Sequence, residues 1–291
     1  MKPFSAKGAY LAAMGIFGTL GIFTQYLTVP TSVTALSRGA IGALFLFAAS
    51  LVRKRKINWS AVRGDLVPLL VSSVFLGFNW ILLFEAYRYT SVATATLCYY
   101  MAPIFMILLA PLLWKEKLTL VKGLCVLAAL TGMVFVSGVL QSGFGGEGQM
   151  KGVLLGLAAA VLYACIVVCN KSMKVLSGSD RTVLQLGISA FVMLGYVLLT
   201  EEVTALVFDA RSVVILLLLG IVHTGIAYSL YFSSIRTLEA QTIAIGSYLD
   251  PILAVLLSAL FLKEPLGMSG IVGAVLILGA ALVSELWGEK K

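Results

Sequence analysis

The stretch Tyr100-Met101-Ala102-Pro103-Ile104 has a second copy later in the chain, Tyr248-Leu249-Asp250-Pro251-Ile252. The two copies are 148 residues apart, and a Lys-Glu pair follows each at the same distance, ending at Glu116 and Glu264. Polar residues and glycines further upstream match in the same register: Gly77 with Gly225, Arg88 with Arg236, and Thr94 with Thr242. Apolar matches are common by chance in an apolar chain, whereas matches between polar residues are not. The polar matches therefore indicate that the chain consists of two copies of one unit.

The composition predicts an integral membrane protein. The 291 residues are 60% hydrophobic and 12% charged, and their mean hydropathy is +1.03. An ordinary soluble domain has about 45–50% apolar and about 25% charged residues. The net charge of +8 does not indicate a nucleic-acid partner, because the basic residues lie in loops between apolar segments, where they set orientation in the lipid bilayer.

Ten apolar segments, numbered 1 to 10 from here on, can be drawn along the chain. Lipid-exposed irregular backbone does not occur in a membrane, so each segment is expected to be a helix. Their approximate ranges are 7–27, 33–52, 66–87, 92–113, 120–137, 152–173, 182–200, 213–233, 240–262 and 268–286. The first lacks a cleavage signal and is interpreted as a retained helix. A Gly-rich stretch, 139–150, is expected to link a first repeat, 1–138, to a second, 151–291.

Lysines and arginines predict the orientation. With a cytoplasmic amino terminus, one side of the membrane carries most of them, and the other carries only Arg88, Lys151, Arg211 and Lys263. This bias predicts a multi-pass protein of the cell (inner) membrane with both termini cytoplasmic. Five segments per repeat is an odd number, so the repeats are expected to have opposite topologies. Inverted repeats are typical of secondary transporters, whose sites lie near the midplane at interrupted helices.

Pro103 and Pro251 lie near the middle of segments 4 and 9. Proline removes a backbone hydrogen bond and disturbs a helix, so a simple kink is one interpretation of each. Two prolines at matching positions also suggest a shared helix-break or gating role. Glu116 and Glu264 lie at the ends of the same segments, on opposite sides of the membrane. They are interpreted as helix-end pairing groups that could act as gates.

The Y-x-x-P-I and K-E elements of segment 4, with the Y-L-D-P-I and K-E-P-L elements of segment 9, resemble the paired signatures of the drug/metabolite transporter superfamily. The ten-helix EamA-type branch fits best, and the Ala35-Leu36-Ser37-Arg38 stretch is similar to its pattern. The resemblance implies an all-α, 5+5 inverted-repeat carrier that exports amino acids, other metabolites or drugs, with some importing members. It implies a cavity lined mainly by segments 1–4 and 6–9, and no catalytic triad, metal site or cofactor.

Three ionisable groups inside the apolar segments are candidate binding residues, because charges are unfavourable in the hydrocarbon. Asp250, where the first repeat has Ala102, could bind an ammonium group or a coupling proton, or could cap amides freed by the proline. Arg38 could bind a carboxylate, or bond helix-end carbonyls or a nearby acid. His223, the one histidine, could relay protons or serve as a hydrogen-bonded packing residue.

Aromatic and polar side chains on the same segments could complete a small-molecule pocket. Each could instead serve in packing or face lipid, and Trp80 could be an anchor at the membrane interface. The candidates are Asn79 and Trp80 in segment 3, Tyr99 and Tyr100 in segment 4, Tyr163 in segment 6, Tyr228 in segment 8 and Tyr248 in segment 9.

The function predicted is transport of a small polar, amino-acid-like solute, with export inferred from the resemblance. A drug or organic-cation exporter is the alternative, with Asp250 and the tyrosines as its cation site. A polytopic enzyme is disfavoured because the chain has no H-E-x-x-H, G-x-S-x-G or phosphate-binding Gly motif. Glycines in segments 5 and 10 permit close helix approach, either within the chain or in a homodimer. They are Gly123, Gly132, Gly270, Gly273 and Gly279.

Overall fold

The computed structural model describes residues 5–52, 54, 57–114, 119–136, 147–234, 237–238, 240–264 and 266–288. All the secondary structure in these ranges is helical. The helices of segments 1 to 5 are Ala6–Gly18 with Leu20–Gln25, Thr31–Val52, Leu66–Tyr89, Val92–Tyr99 with Ala102–Trp114, and Leu120–Val136. Those of segments 6 to 10 are Glu147–Ser172, Gly178–Thr200, Ala210–Ser234 in three parts, Ala240–Ser247 with Leu249–Leu262, and Met268–Gly288.

Length and composition agree with a membrane location. Among the described residues, seven helices are long and apolar enough to cross a membrane, and three shorter apolar helices correspond to segments 5, 9 and 10. Large apolar side chains lie on the outside of the helices, with exposures of 80% for Leu120, 78% for Phe191 and 88% for Leu199. An apolar exterior of this kind is suited to lipid rather than to water.

Segments 4 and 9 are both interrupted near Pro103 and Pro251, at matching positions. In segment 4 the helix Val92–Tyr99 ends, and a new helix begins at Ala102. In segment 9 the helix Ala240–Ser247 ends, and a new one begins at Leu249. The two helix starts, Val92 and Ala240, are 148 residues apart, as are the two ends, so the sequence step and the structural break coincide. Pro103 and Pro251 are each accommodated in the first turn of the following helix, where the missing N–H group leaves no gap in the bonding pattern.

Four irregularities were not predicted from the sequence. Segment 1 is interrupted at Thr19, whose hydroxyl donates to the Ile16 carbonyl oxygen at 2.8 Å. Segment 8 is π-helical over Leu219–Ile226, and the end of segment 9 is π-helical over Ser258–Leu262. A short helix, Trp59–Gly64, precedes segment 3, and the Asn58 side chain accepts a hydrogen bond from the Ala61 amide at its start. π-Helical turns inside helices are frequent at functional sites.

The packing of the segments has a symmetrical pattern. Segment 1 packs on segment 8, and segment 6 packs on segment 3. Segments 2 and 8 are in contact, as are segments 7 and 3; segments 1 and 9 are in contact, as are segments 6 and 4. Segments 2 and 7, 4 and 9, and 5 and 10 are also in contact. Exchanging every segment with the one five places along reproduces these contacts, whereas the contacts of segment 3 with segments 1, 2 and 4, and of segment 4 with segment 10, have no counterpart of similar extent.

Segments 5 and 10 are held together by two of the glycines noted above. A Cβ atom on Gly132 would lie 2.8 Å from the Gly273 carbonyl oxygen, and one on Gly273 would lie 2.6 Å from the Gly132 oxygen. These two glycines therefore serve packing within the chain, where any larger side chain would separate the helices. Gly123 and Gly279 have no neighbouring atom within 4 Å of such a Cβ, so the homodimer stays a prediction.

Two aspartates at helix starts hold neighbouring segments together at opposite ends of the helices. The buried Asp65 carboxylate, before segment 3, accepts hydrogen bonds from the backbone N–H groups of Lys174, Val175 and Leu176 at 3.2, 2.9 and 2.8 Å, after segment 6. Asp209, before segment 8, accepts hydrogen bonds from the Thr28 hydroxyl at 3.2 Å and the Ser212 amide at 3.3 Å. Thr28 follows segment 1, so the two contacts join equivalent segments of the two repeats.

Candidate functional site

The two helix breaks meet at Tyr100 and Asp250. The Tyr100 hydroxyl donates to Asp250 Oδ2 at 2.9 Å, and its ring centroid lies 6.5 Å from that of Tyr248. Asp250 lies in the first turn of the helix Leu249–Leu257, at the positive end of its dipole. A carboxylate and two phenol rings, one of them from the other repeat, therefore occupy the junction of segments 4 and 9.

Further tyrosines extend this cluster from neighbouring segments. The Tyr99 ring lies 5.3 Å from that of Tyr163 and 6.4 Å from that of Tyr100. The Tyr163 side chain is 41% exposed, and its phenol is within electrostatic reach of Asp250 and Tyr228. Tyr228 packs on Phe17 and Phe232, with ring centroids 5.4 and 5.9 Å apart. The predicted tyrosines from segments 4, 6, 8 and 9 thus share one interior region.

Arg38 lies in the same interior and is 4% exposed. Its guanidinium carbon is 4.3 Å from the centroid of the Trp80 ring and 5.9 Å from that of Phe84. Its Nε donates to Thr224 Oγ1 at 3.1 Å, and no carboxylate among the described residues lies within 4.0 Å of its nitrogens. The structural alternatives, bonding to helix-end carbonyls or pairing with an acid, are therefore not observed for this arginine.

His223 contacts segment 1 at its interruption. Its side chain is buried, and Nε2 lies 2.8 Å from the Thr19 hydroxyl oxygen. Nδ1 lies 3.5 Å from the Leu218 carbonyl oxygen, and the ring packs on Phe23 with centroids 5.4 Å apart. The π-helical stretch of segment 8 thus directs two consecutive side chains inward, His223 towards segment 1 and Thr224 towards Arg38.

Asn79 and Trp80 are both buried, but their contacts differ. The Asn79 amide nitrogen donates to the Ala159 carbonyl oxygen at 2.6 Å, and its oxygen lies 3.4 Å from the Tyr99 hydroxyl. Asn79 therefore connects segment 3 to segment 6. Trp80 is 4% exposed and lies against Arg38, so the interpretation as an anchor at the membrane interface is wrong.

Glu264 is a capping group. Its Oε2 accepts hydrogen bonds from the Val92 amide at 3.1 Å and from the Ser258 hydroxyl at 2.7 Å. Val92 is the first residue of segment 4, so the carboxylate satisfies a free amide at a helix start and joins segments 9 and 4. Glu116, its partner in the first repeat, lies outside the described residues.

A cavity of about 780 Å³ opens where segments 1, 3 and 7 end and segment 2 begins, on the side predicted to carry few lysines and arginines. Its polar lining includes Gln25, Thr31, Ser32, Glu85 and Glu201. Phe84 and Tyr87 also line it, and Phe84 is one of the two rings next to Arg38. The Phe84 side chain thus lies between the cavity and the guanidinium group of Arg38.

Several residues of this site carried no signal in the sequence. Thr19, Phe84, Tyr87 and Thr224 are ordinary residues of apolar helices, and only their tertiary contacts distinguish them. The Thr19 position could have been suspected from its neighbouring glycines, Gly18 and Gly21, which weaken a helix.

The model of the EamA-like transporter family matches this chain twice, over residues 7–138 and 150–285. The chain belongs to the EamA-like transporter family. Its relatives include the uncharacterized transporter YxxF of Bacillus subtilis, which is 28% identical over 86% of this chain and 79% of its own length. The uncharacterized transporter YojE of the same organism is 25% identical over 90% and 88%.

A solved crystal structure of a protein has the same fold as this EamA-like chain. The similarity covers 97% of this chain and 96% of the other, with a TM-score of 0.65 and 22% sequence identity. Family membership and the transporter names of the relatives indicate a membrane transporter rather than a catalyst.

Proposed function

We propose that this EamA-like protein is a secondary transporter that exports a small polar, amino-acid-like solute across the cell membrane by alternating access. The observation that carries the proposal is the hydrogen bond between Tyr100 and Asp250, which joins the two helix breaks across the repeats. Broken helices that meet between repeats are the usual location of transport sites. Asp250 and Arg38 present opposite charges there, with aromatic rings around them.

The division into two inverted five-helix repeats, 1–138 and 151–291, is part of this proposal. It is supported by the two separate family matches and by the symmetrical pattern of segment contacts. An odd number of segments per repeat makes the second copy run through the membrane in the opposite sense. Rocking of one repeat against the other would expose the Asp250 region alternately to the two sides, with the lysine- and arginine-rich side in the cytoplasm.

Proton coupling through Asp250 is tested in proteoliposomes with an imposed pH gradient. The solute is first identified by a thermal-shift screen of amino acids, nucleosides, sugars and organic cations. We expect Asp250→Asn to reduce gradient-driven uptake at least about tenfold, because general proton transfer by a placed side chain has effects of this order or larger. The matched control, Glu202→Gln, replaces an exposed carboxylate outside the helices and should transport normally. Full pH-dependent transport by Asp250→Asn would rule out the coupling role.

A second candidate function, export of an organic cation, is favoured by one observation: tyrosine rings surround the only carboxylate at the helix breaks of the described residues. Ring faces attract cations, most strongly when water is excluded. Competition experiments separate the two functions. Inhibition by hydrophobic cations but not by amino acids would favour the cation exporter.

A further inference from the structure

We propose that Arg38 is an anion-binding group, that Thr224 orients it, and that the transported solute carries a carboxylate. This inference rests on the proposed function and specifies the class of substrate at the same site. A planar guanidinium group matches the two oxygens of a carboxylate, which gives it geometric as well as electrostatic selectivity.

The first argument is the unmet bonding capacity of Arg38. The side chain is 4% exposed, yet its only hydrogen bond to the described residues is made by Nε. A buried charge is unfavourable unless it is paired and hydrogen-bonded. The ring of Trp80 attracts the cation but does not replace an anionic acceptor for the two terminal nitrogens. The carboxylate of a solute would supply both the charge and the acceptors.

The second argument is the geometry of Thr224. Its hydroxyl donates to the Leu219 carbonyl oxygen, five residues earlier, at 3.0 Å. The single hydroxyl hydrogen is used in that bond, so the oxygen accepts from Arg38 Nε at 3.1 Å. A carbonyl five residues back faces the hydroxyl because Leu219–Ile226 is π-helical. The π-helical stretch therefore places an acceptor at Nε, which orients the guanidinium and leaves the fork formed by its two terminal nitrogens to a ligand.

The third argument is the surroundings of the guanidinium. It lies within electrostatic reach of Tyr87, Tyr99 and Tyr228, and of Asp250. These groups come from segments 3, 4, 8 and 9, which enclose the predicted transport site. A solute with a carboxylate at Arg38 and an ammonium group towards Asp250 would complement both charges. An organic cation would leave Arg38 unpaired.

The test compares how tightly wild-type protein binds the standard amino acids, their primary amides and the corresponding decarboxylated amines. Binding is measured by thermal shift and by the fluorescence of Trp80, in a background where Trp59, Trp114 and Trp287 are replaced by Phe. We expect one or more amino acids to bind through their carboxylate. The primary amide and the decarboxylated amine of each such amino acid should bind about 100-fold more weakly, since losing one partner of a buried charge pair has an effect of this order.

Variants then assign the effect to the two residues. Arg38→Gln should remove the preference for the carboxylate. Thr224→Val should weaken carboxylate binding about tenfold, as expected for one hydrogen bond to a charged group, and Thr224→Ser should restore it. Arg211→Gln is the matched control, because Arg211 also lies over an aromatic ring, that of Tyr26 at 4.5 Å, but is exposed. If Arg38→Gln does not fold, the Thr224 pair still decides the question.

Three results would overturn the inference. They are equal binding of acid and amide by wild-type protein, binding by none of the carboxylates, and an unchanged preference in both Thr224→Val and Arg38→Gln. Transport of an amine that does not depend on Arg38 would reject this inference while leaving the transporter proposal intact. Failure to transport solutes of any class would reject the proposed function itself.

Discussion

Asn79 is a fully buried amide whose two contacts lie on different segments. Its nitrogen donates to the backbone of segment 6 through Ala159, at 2.6 Å, and this is a short bond between two well-packed helices. Polar side chains that bond across helices in this way stabilise membrane proteins by modest amounts. The contact supports a structural role for Asn79 rather than a role in binding.

We expect Asn79→Ala to lower the free energy of unfolding by about 1–3 kcal/mol, because the Ala159 carbonyl loses its side-chain donor and a buried gap is left. The measurement is unfolding in denaturing detergent followed by circular dichroism. Thr131→Ala is the control, since its exposed hydroxyl bonds only within its own helix, to Leu127, and its loss should change stability by less than about 0.5 kcal/mol. Equal losses in the two variants would contradict the structural role of Asn79.

Single residues show where sequence reasoning reaches its limit. Arg38 and Asp250 could be selected as candidates because a charge inside an apolar segment is unfavourable in lipid. Their partners could not, since Thr224 and Phe84 are common residues in apolar helices. Trp80 was compatible with both a lipid-interface anchor and a pocket residue, and only its contact with Arg38 decides between them.

At the scale of helices, the 148-residue step predicted more than composition could. It predicted that segments 4 and 9 are disturbed at equivalent points, and both helices end immediately before Tyr100 and Tyr248. The π-helical stretch of segment 8 could not be predicted in the same way. Hydrophobic periodicity shows which face of a helix is apolar. Segment 8 is apolar on most sides, so one extra residue in a turn changes its sequence pattern little.

The loop after segment 6 is held by Asp65. Burial of this carboxylate opposes its ionisation, but hydrogen bonds from three backbone amides outweigh that effect, so the pKa of Asp65 lies below its ordinary value. A lowered pKa in the folded protein means that the contact contributes its full stability above the ordinary pKa and loses it as the pH falls through the lowered value. At neutral pH the contact is complete.

We expect Asp65→Asn to accelerate hydrogen exchange at Val175 and Leu176 at neutral pH, because the charge-assisted bonds to their amides are lost. In wild-type protein the same loss of protection, measured relative to the intrinsic exchange rate at each pH, should appear only in acid, below the ordinary pKa of an aspartate, about 3.9. Asp180→Asn, in the first helical turn after this loop, is the control and should leave the exchange unchanged. Protection that is the same in Asp65→Asn and wild-type protein would show that the carboxylate does not hold the loop.

At the scale of the whole molecule, the proposed opposite topology of the repeats has a direct consequence for labelling. Segment 3 and segment 8 are equivalent, but their starts should lie on opposite sides of the membrane. Ser60 precedes segment 3 and Thr204 precedes segment 8, and both are exposed. In a variant without the native cysteines, a membrane-impermeant maleimide should label Thr204→Cys in intact cells and Ser60→Cys only after permeabilisation.

The labelling result separates two arrangements of the repeats. Labelling of both positions in intact cells, or of neither, would mean that the repeats are parallel. Labelling of Ser60→Cys alone would mean an inverted arrangement with the opposite orientation, and would contradict the prediction from lysines and arginines.

The contacts of Asp65 and Asp209 differ in strength although they occupy equivalent places. Asp65 is buried and binds three amides, whereas Asp209 is exposed and binds the Thr28 hydroxyl and the amide of the following turn. The stronger contact lies on the side opposite the cavity. In the proposed alternating-access cycle, opening towards that side would require the Asp65 contact to be released. We therefore expect the observed state, in which this contact is intact, to be the favoured one between turnovers.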